Sequence, residues 1–221
     1  LGTKIENTQN KSFSKSSKNN LTTFDPDELY KELHSLKVEE ISHLALEASS
    51  HGLDQFRLDS VKFSGAIFTN LSHDHIDYHK NIENYFISKK RLFTEILQNN
   101  SSVAINIDDD FGKRLLYEIK NKKHNIITFG KILDADIKIN SIKQNYQSID
   151  LVLEYKNKIY NSTIGMIGKF QAYNVVAAAS ICISLGMDPN LTFKSISYLK
   201  PARGRMEMIP ASHNNSMIII D

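Results

Sequence analysis

The densest group of chemically active side chains lies between residues 73 and 79, where three histidines and two aspartates occur within seven residues. Imidazole and carboxylate groups suit divalent metals. One interpretation is a metallo-hydrolase that uses the cluster from His73 to His79. That chemistry needs further ligands, and only His124 and His213 follow the cluster. The other interpretation is a polar loop whose histidines cap the next helix, because unligated surface histidines are common.

A lysine lies within the apolar stripe of the helix predicted over residues 82–97. Lys89 follows Tyr85 by four residues and Phe86 by three, so the three side chains share one helix face. Burial lowers the pKa of a lysine and favours the free amine. A free amine can add CO2 and become a carbamate, which binds metals as a carboxylate does. Alternatively, only the stem of Lys89 is covered and its ammonium reaches solvent.

The segment from Glu47 to Leu53 combines a carboxylate, two hydroxyls, a histidine and a glycine. This composition fits a corner that binds a metal and an anion. The segment lacks the GxSxG turn of serine hydrolases, so we do not predict a serine nucleophile.

Alternating strands and helices must position these residues. The sequence predicts strands at 43–47, 65–69, 103–106 and 126–129, and helices at 25–37, 82–97, 111–119, 170–185 and 191–199. This order predicts an α/β fold with a mostly parallel sheet flanked by helices. Residues 136–164 predict a small antiparallel meander of three strands. Ligands bind at the carboxyl ends of parallel strands, where we expect Glu47 and Asn70.

Composition excludes several classes of protein. The net charge of the 221 residues is only +2, which argues against a nucleic-acid binder. No apolar run is long enough to span a membrane, and the single Cys182 suits a reducing cytoplasm. Residues 6–20 are polar and predict a mobile loop. The apolar run at 217–220 predicts a buried strand, so we expect further protein both before Leu1 and after Asp221.

Three segments together resemble the central domain of the Mur ligases, of the MurE type, whose fold is of the P-loop kind. The resemblance covers essentially all of residues 1–221, and two later segments agree with it. The matching segments are Glu47-Ala48-Ser49-Ser50-His51-Gly52-Leu53, Phe68 to His79, Tyr85 to Phe93, Gly168 to Ala178, and Gly204-Arg205-Met206-Glu207.

The resemblance implies an ATP-dependent amide ligase of peptidoglycan synthesis. Its substrates would be UDP-MurNAc-L-Ala-D-Glu and a diamino acid, either meso-diaminopimelate or L-lysine, joined through an acyl phosphate. It implies that Glu47, His75 and a carbamylated Lys89 hold Mg2+. The implied substrate-binding residues are Thr22, Thr23, Ser49, Gln55 and Arg57. The implied ATP-binding residues are Asn70, Gln171, Asn174, Arg205 and Asp221.

The resemblance also sets expectations for the parent protein. The family's GTNGKTT phosphate loop is expected before Leu1 and the domain that binds the amino acid after Asp221, so the segment alone should be inactive. The family is usually monomeric and cytoplasmic. Besides the metallo-hydrolase, we considered a folylpolyglutamate-type ligase and a non-catalytic binding module.

Overall fold

The structure is a computed structural model that describes residues 4–7, 11–14, 22–202, 204–210 and 217–221. Its contacts divide the chain into two units, Leu1–Phe63 with His73–Leu97, and Ser64–Ser72 with Gln98–Asp221. Within the described ranges, no helix has the length and apolar character that crossing a membrane requires.

The first unit is mainly helical. Its elements are β1 (Lys4–Asn7), β2 (Lys11–Ser14), α1 (Pro26–Val38), α2 (Ser50–Asp54), α3 (Ile76–His79) and α4 (Ile82–Arg91). Pro26 occupies the first turn of α1, where a missing backbone N–H costs nothing. The predicted helix over 82–97 is α-helical only to Arg91, and a π-helical turn over Leu92–Ile96 completes it. Helix α4 contacts both α2 and α3.

Two segments of the first unit differ in secondary structure from the prediction. Within the predicted loop 6–20, residues 6–7 belong to β1 and residues 11–14 form β2, and the two strands pair antiparallel. Backbone hydrogen bonds between two segments cannot be read from the polarity of their side chains. The remaining residues 8–10 and 15–20 lie outside the described ranges. Residues 43–47 form no strand, because an apolar run becomes a strand only where a neighbour completes its hydrogen bonds.

The second unit is built on a six-stranded sheet of order β3-β4-β5-β6-β7-β8. These strands are β3 (Gly65–Phe68), β4 (Ser102–Asn106), β5 (Asn125–Gly130), β6 (Ile137–Gln144), β7 (Ile149–Tyr155) and β8 (Lys158–Ile164). Strands β3, β4 and β5 pair in parallel, as predicted. The antiparallel meander of β6, β7 and β8 is also confirmed. It continues the parallel sheet, because β6 pairs in parallel with β5.

Helices α5 (Asp110–Ile119), α6 (Lys169–Ser184) and α7 (Pro189–Ser195) complete the second unit. A 3₁₀ turn over Ile196–Tyr198 follows α7, so the predicted helix 191–199 begins and ends earlier as an α-helix. Helix α6 packs on β3, β4 and β5. Its buried Ala172, Ala177 and Ala179 permit this close approach. Gly186 follows α6 with a φ of +98°, the conformation expected of a glycine helix stop.

A separate hairpin joins β9 (Glu207–Pro210) and β10 (Met217–Ile220). The strand predicted at 217–220 is therefore confirmed, and within residues 1–221 it is largely exposed. Ile218, Ile219 and Ile220 are 55%, 50% and 41% exposed. Strand β10 pairs only with β9 among the described strands, and pairing along one edge leaves both faces of a strand uncovered.

Candidate active site

A cavity of about 300 Å³ lies at the carboxyl ends of the parallel strands in the second unit. This is the position where open parallel sheets bind ligands. Its lining combines carboxylates, amides and three aromatic rings. The lining residues are Thr69, Asn70, Asn106, Asp108, Asp109, Phe129, Phe170, Tyr173 and Asn174.

A chain of hydrogen bonds connects the strand ends around this cavity. The Asn106 side-chain amide donates to the Thr69 carbonyl at 2.8 Å, and its Oδ1 accepts from the Asp108 backbone N–H at 3.0 Å. Asp109 caps α5 by accepting from the Gly112 N–H, and it also accepts from the Leu71 N–H. Side chains of β4 and of the turn after it therefore hold the ends of neighbouring strands.

Two predicted ATP-binding residues line the cavity: Asn70 from the segment that follows β3, and Asn174 from α6. Gln171 is buried one turn before Asn174, and its Oε1 accepts from the Asn174 amide at 3.3 Å. The Gln171 amide donates to the backbone carbonyl of Arg205 at 3.4 Å. Arg205 and Asp221 are exposed and are not among the residues that line the cavity.

In the first unit, Thr23 joins the segment that begins at Glu47. Its hydroxyl is 3.0 Å from the Glu47 carbonyl and 2.9 Å from the Ser49 hydroxyl, and it accepts from the Ser49 N–H at 2.9 Å. Ser49 caps α2 by accepting from the Gly52 N–H. Gly52 must lack a side chain, because a Cβ there would lie 2.8 Å from the Thr23 side chain.

Arg57 extends this corner. Its side chain is 14% exposed, and its guanidinium donates to the Thr23 carbonyl at 2.8 Å and lies 3.5 Å from an Asp25 carboxylate oxygen. It also donates to the Gln55 side chain, whose amide in turn donates to the Tyr78 hydroxyl at 3.1 Å. The structure thus brings Thr23, Ser49, Gln55 and Arg57 together through hydrogen bonds.

The ring of Tyr85, buried on α4, organises the histidine cluster. The His79 ring stacks on it with centroids 5.1 Å apart and an interplanar angle of 16°. The His75 ring meets it edge-on at 5.8 Å, and the Lys89 Nζ lies 5.3 Å from its centroid. Two of the predicted metal-binding side chains, His75 and Lys89, therefore approach one tyrosine ring.

His79 is a buried structural histidine in this arrangement, with 4% of its surface exposed. Its Nε2 lies 2.9 Å from the Ser50 hydroxyl, and its Nδ1 lies 3.4 Å from the Ser88 hydroxyl. Burial lowers the pKa of His79, as do the charges of His51, His75 and Lys89, while Asp54 raises it. With both ring nitrogens occupied by serines, His79 does not present a free nitrogen to a metal.

The Mur ligase middle-domain family matches residues 1–182. The chain belongs to the Mur ligase family. It is 34% identical over 204 residues to the UDP-N-acetylmuramoyl-L-alanyl-D-glutamate–2,6-diaminopimelate ligase of Bradyrhizobium diazoefficiens, covering 91% of this chain and 42% of that protein. It is 38% identical over 178 residues to the enzyme of the same name from Aquifex aeolicus, covering 80% of this chain and 35% of that protein.

A solved structure of a ligase with that name superposes with a TM-score of 0.78 at 28% identity, over 87% of this chain and 40% of that one. The Mur ligase chain described here thus spans about two fifths of the length of these relatives.

The donor chemistry of this Mur ligase chain fits a magnesium site built from few protein ligands. The described residues contain no group of three His, Cys, Asp or Glu side chains that could hold a metal. This finding does not favour the metallo-hydrolase interpretation. Glu47 is exposed and supplies a hard oxygen, and Lys89 is half-buried beside Tyr85. A carbamate on Lys89 would add a second hard oxygen ligand, of the kind that Mg2+ prefers.

The backbone of His75 is in a strained conformation. It adopts a left-handed conformation with a φ of +55° immediately before α3. Such a conformation is unfavourable for a residue other than glycine and is concentrated at functional positions. The Asp74 carboxylate accepts from the His75 N–H at 2.8 Å and stabilises the turn. His73 lies on the exposed side of the same turn.

Sequence reasoning missed several residues of the Mur ligase cavity. Asp108 belongs to an acidic run directly after β4, a position where ligand-binding groups are expected. Phe170 and Tyr173 lie at i and i+3 of α6 and share one face with the predicted Asn174 at i+4. Both signals are readable from the sequence.

Proposed function

We propose that the full-length protein is an ATP-dependent ligase that adds a diamino acid to UDP-MurNAc-L-Ala-D-Glu in peptidoglycan synthesis. The observation that carries the proposal is the family match over residues 1–182. The polar corner and histidine cluster of the first unit and, separately, the strand-end cavity of the second unit also support it. The names of the relatives support this precursor ligase over the folylpolyglutamate-type alternative.

The chemistry follows from the substrates. A carboxylate oxygen of the D-glutamate takes the γ-phosphoryl group of ATP, which releases ADP and forms an acyl phosphate. The amine of the diamino acid then attacks the acyl carbon, the C–N bond forms, and phosphate leaves with the bonding electrons. A proton is lost from the attacking nitrogen. Phosphoryl transfer between anions requires mainly positioning and charge neutralisation.

In this proposal the cavity of the second unit binds the adenine of ATP. Asn70 and Asn174 offer amide donors and acceptors to the edge of the base. Phe170 and Tyr173 offer aromatic surface for its faces. Gln171 supports Asn174 through their hydrogen bond. Arg205 is proposed to contact the phosphates and Asp221 the ribose; the exposure of both leaves them accessible to a ligand.

The corner around Thr23 is proposed to bind the UDP-muramoyl substrate with Thr22, Ser49, Gln55 and Arg57. The Thr23 hydroxyl is already used by Glu47 and Ser49, so its contribution is to hold Ser49 in place. Arg57 is suited to a phosphate or carboxylate because its planar guanidinium can donate two parallel hydrogen bonds.

Glu47, His75 and the carbamylated Lys89 are proposed to hold Mg2+. When bound, Mg2+ would neutralise phosphate charge as the phosphoryl group moves. The protein's own part is to keep these side chains in place. The Tyr85 ring does this for His75 and Lys89.

The relatives' names specify 2,6-diaminopimelate, and this supports meso-diaminopimelate over lysine as the added residue. We further propose a monomeric enzyme of the cytoplasm, where its nucleotide substrates are made. The low net charge of +2 agrees with small-molecule partners rather than nucleic acid.

The proposal is tested with the full-length protein by measuring ADP release that depends on both UDP-MurNAc-L-Ala-D-Glu and a diamino acid. Lys89→Ala should abolish this activity, and added bicarbonate should not restore it because alanine has no amine to carbamylate. Lys90→Ala is the matched control, since the Lys90 Nζ lies over the neighbouring Phe86 ring instead.

The outcomes separate the parts of the proposal. Near-normal activity of Lys89→Ala would exclude the carbamate role while leaving the ligase assignment intact. Absence of ADP release from the wild-type protein with either diamino acid would exclude the ligase assignment itself.

A further inference from the structure

Asp108 is the most heavily hydrogen-bonded carboxylate at the cavity among the described residues. Its oxygens accept from the Lys131 backbone N–H at 2.8 and 2.9 Å and from the Ile132 N–H at 3.2 Å. They also accept from the Tyr173 hydroxyl at 2.8 Å. These donors come from the segment that directly follows β5 and from α6.

The surroundings of Asp108 are built to hold this carboxylate. A Cβ on Gly130 would lie 2.7 Å from the Asp108 Oδ1, so only glycine leaves room for it. The Asp108 backbone N–H is itself held by Asn106, which reaches across to the Thr69 carbonyl. Hydrogen bonds to its carboxylate oxygens and to its backbone N–H therefore hold Asp108 in place beside Tyr173.

Tyr173 depends on this carboxylate for its position. Its ring lines the cavity, and its hydroxyl makes a charge-assisted bond to Asp108, of the stronger class. Burial raises the pKa of Tyr173, and the hydrogen bond and charge of Asp108 raise it further, so the phenol remains the donor at working pH. The Lys131 Nζ lies 5.9 Å from the same ring.

We propose that Asp108 is a positioning residue that orients Tyr173 as an aromatic wall against the nucleotide base. This inference rests on the proposed function, which places the adenine of ATP in this cavity. Asp108 acts through Tyr173 and does not touch the reacting atoms. Loss of the Asp108–Tyr173 bond should therefore weaken base binding and leave phosphate binding unchanged.

The test uses the full-length protein and three variants, Asp108→Asn, Tyr173→Phe and their double variant. Dissociation constants are measured by calorimetry for ADP and for tripolyphosphate, which carries phosphates without a base. Tyr173→Phe should raise the ADP dissociation constant about fivefold, and Asp108→Asn about tenfold or more, since it also disturbs two backbone donors. The double variant should match Asp108→Asn, because both changes remove the same bond.

Further measurements distinguish a positioning role of Asp108 from general damage to the protein. Binding of tripolyphosphate, kcat and the KM for the UDP-linked substrate should be unchanged, while the KM for ATP should rise with the ADP dissociation constant. Tyr117→Phe, which removes the hydroxyl of a 68% exposed tyrosine, is the matched control. If Asp108→Asn fails to fold, Tyr173→Phe alone still decides, because it keeps the ring and removes only the bond.

Asn174→Ala distinguishes failure of this inference from failure of the proposed nucleotide site. If Asn174→Ala weakens ADP binding while Tyr173→Phe and Asp108→Asn bind ADP as the wild type does, the positioning role is wrong and the nucleotide site stands. If Asn174→Ala, Tyr173→Phe and Asp108→Asn all bind ADP as the wild type does, the cavity does not hold the base. The positioning role of Asp108 and the proposed nucleotide site are then both wrong. Equal weakening toward ADP and tripolyphosphate would likewise overturn the positioning role.

Discussion

Replacing Thr23 with valine should test how the first unit holds its substrate corner. Valine has nearly the shape of threonine, so Thr23→Val removes the hydroxyl and preserves the packing against Gly52. The side chain is 2% exposed, so water cannot replace the lost partners. The Ser49 backbone N–H, which donates to the Thr23 hydroxyl at 2.9 Å, would lose its acceptor.

The magnitude follows from counting the bonds of one hydroxyl. The single hydrogen of Thr23 can be donated either to the Glu47 carbonyl or to the Ser49 hydroxyl, and the oxygen accepts from the Ser49 N–H. Thr23→Val therefore removes at least two hydrogen bonds. At about 1 kcal/mol for each net bond, the free energy of unfolding should fall by about 2 kcal/mol.

Urea denaturation of the chain, followed by circular dichroism, measures this loss. Thr23→Ser is the matched control, because it keeps the hydroxyl and removes only the methyl group, at a cost of about 1 kcal/mol. We expect the valine variant to be the less stable of the two. The opposite order would refute the reasoning, since it would mean that methyl packing, and not the hydroxyl, holds this corner together.

Three further predictions concern stability. Gly112→Ala should be strongly destabilising, because its Cβ would lie 1.9 Å from the Asn106 carbonyl oxygen, whereas Gly165→Ala meets nothing within 4 Å and should be neutral in thermal unfolding. The lowered pKa of His79 means that its stabilising contribution is complete above the ordinary histidine pKa and is lost as pH falls through the lower, folded value. His79→Gln should therefore flatten the fall in unfolding free energy on acidification; an unchanged slope would contradict this. Asp188→Ala should cost about 1 kcal/mol in urea denaturation by removing the cap of α7, and no loss would show the cap to be unimportant.

Periodicity and segment order in the sequence were enough to predict the α/β class and the antiparallel meander. Each depends on how an element buries its own side chains, and that pattern is local. Pro26 and Gly186 marked helix boundaries for the same reason, since their backbone preferences act at one position. The family resemblance rested on several short segments taken together, each of which is read directly from the sequence.

Local patterns failed where a partner decides the outcome. Residues 43–47 carry a strand-like apolar run but form no strand, whereas the polar residues 11–14 do, because pairing is a property of two segments. The same reasoning explains why β10 is a strand with exposed isoleucines. A pattern of apolar residues indicates that a segment tends to be buried. Burial also requires another element to pack against that segment.

The sequence by itself determined which side chains were available for chemistry: Glu47, His75 and Lys89, and the amides Asn70 and Asn174. Only the tertiary structure decided how they are held. It joined Thr23 to Ser49, 26 residues apart, and Asp108 to Tyr173, 65 residues apart. It also placed His79 as a buried support for Tyr85. Such hydrogen bonds and ring contacts act over a few ångströms, so they exist only once folding has brought distant segments into contact.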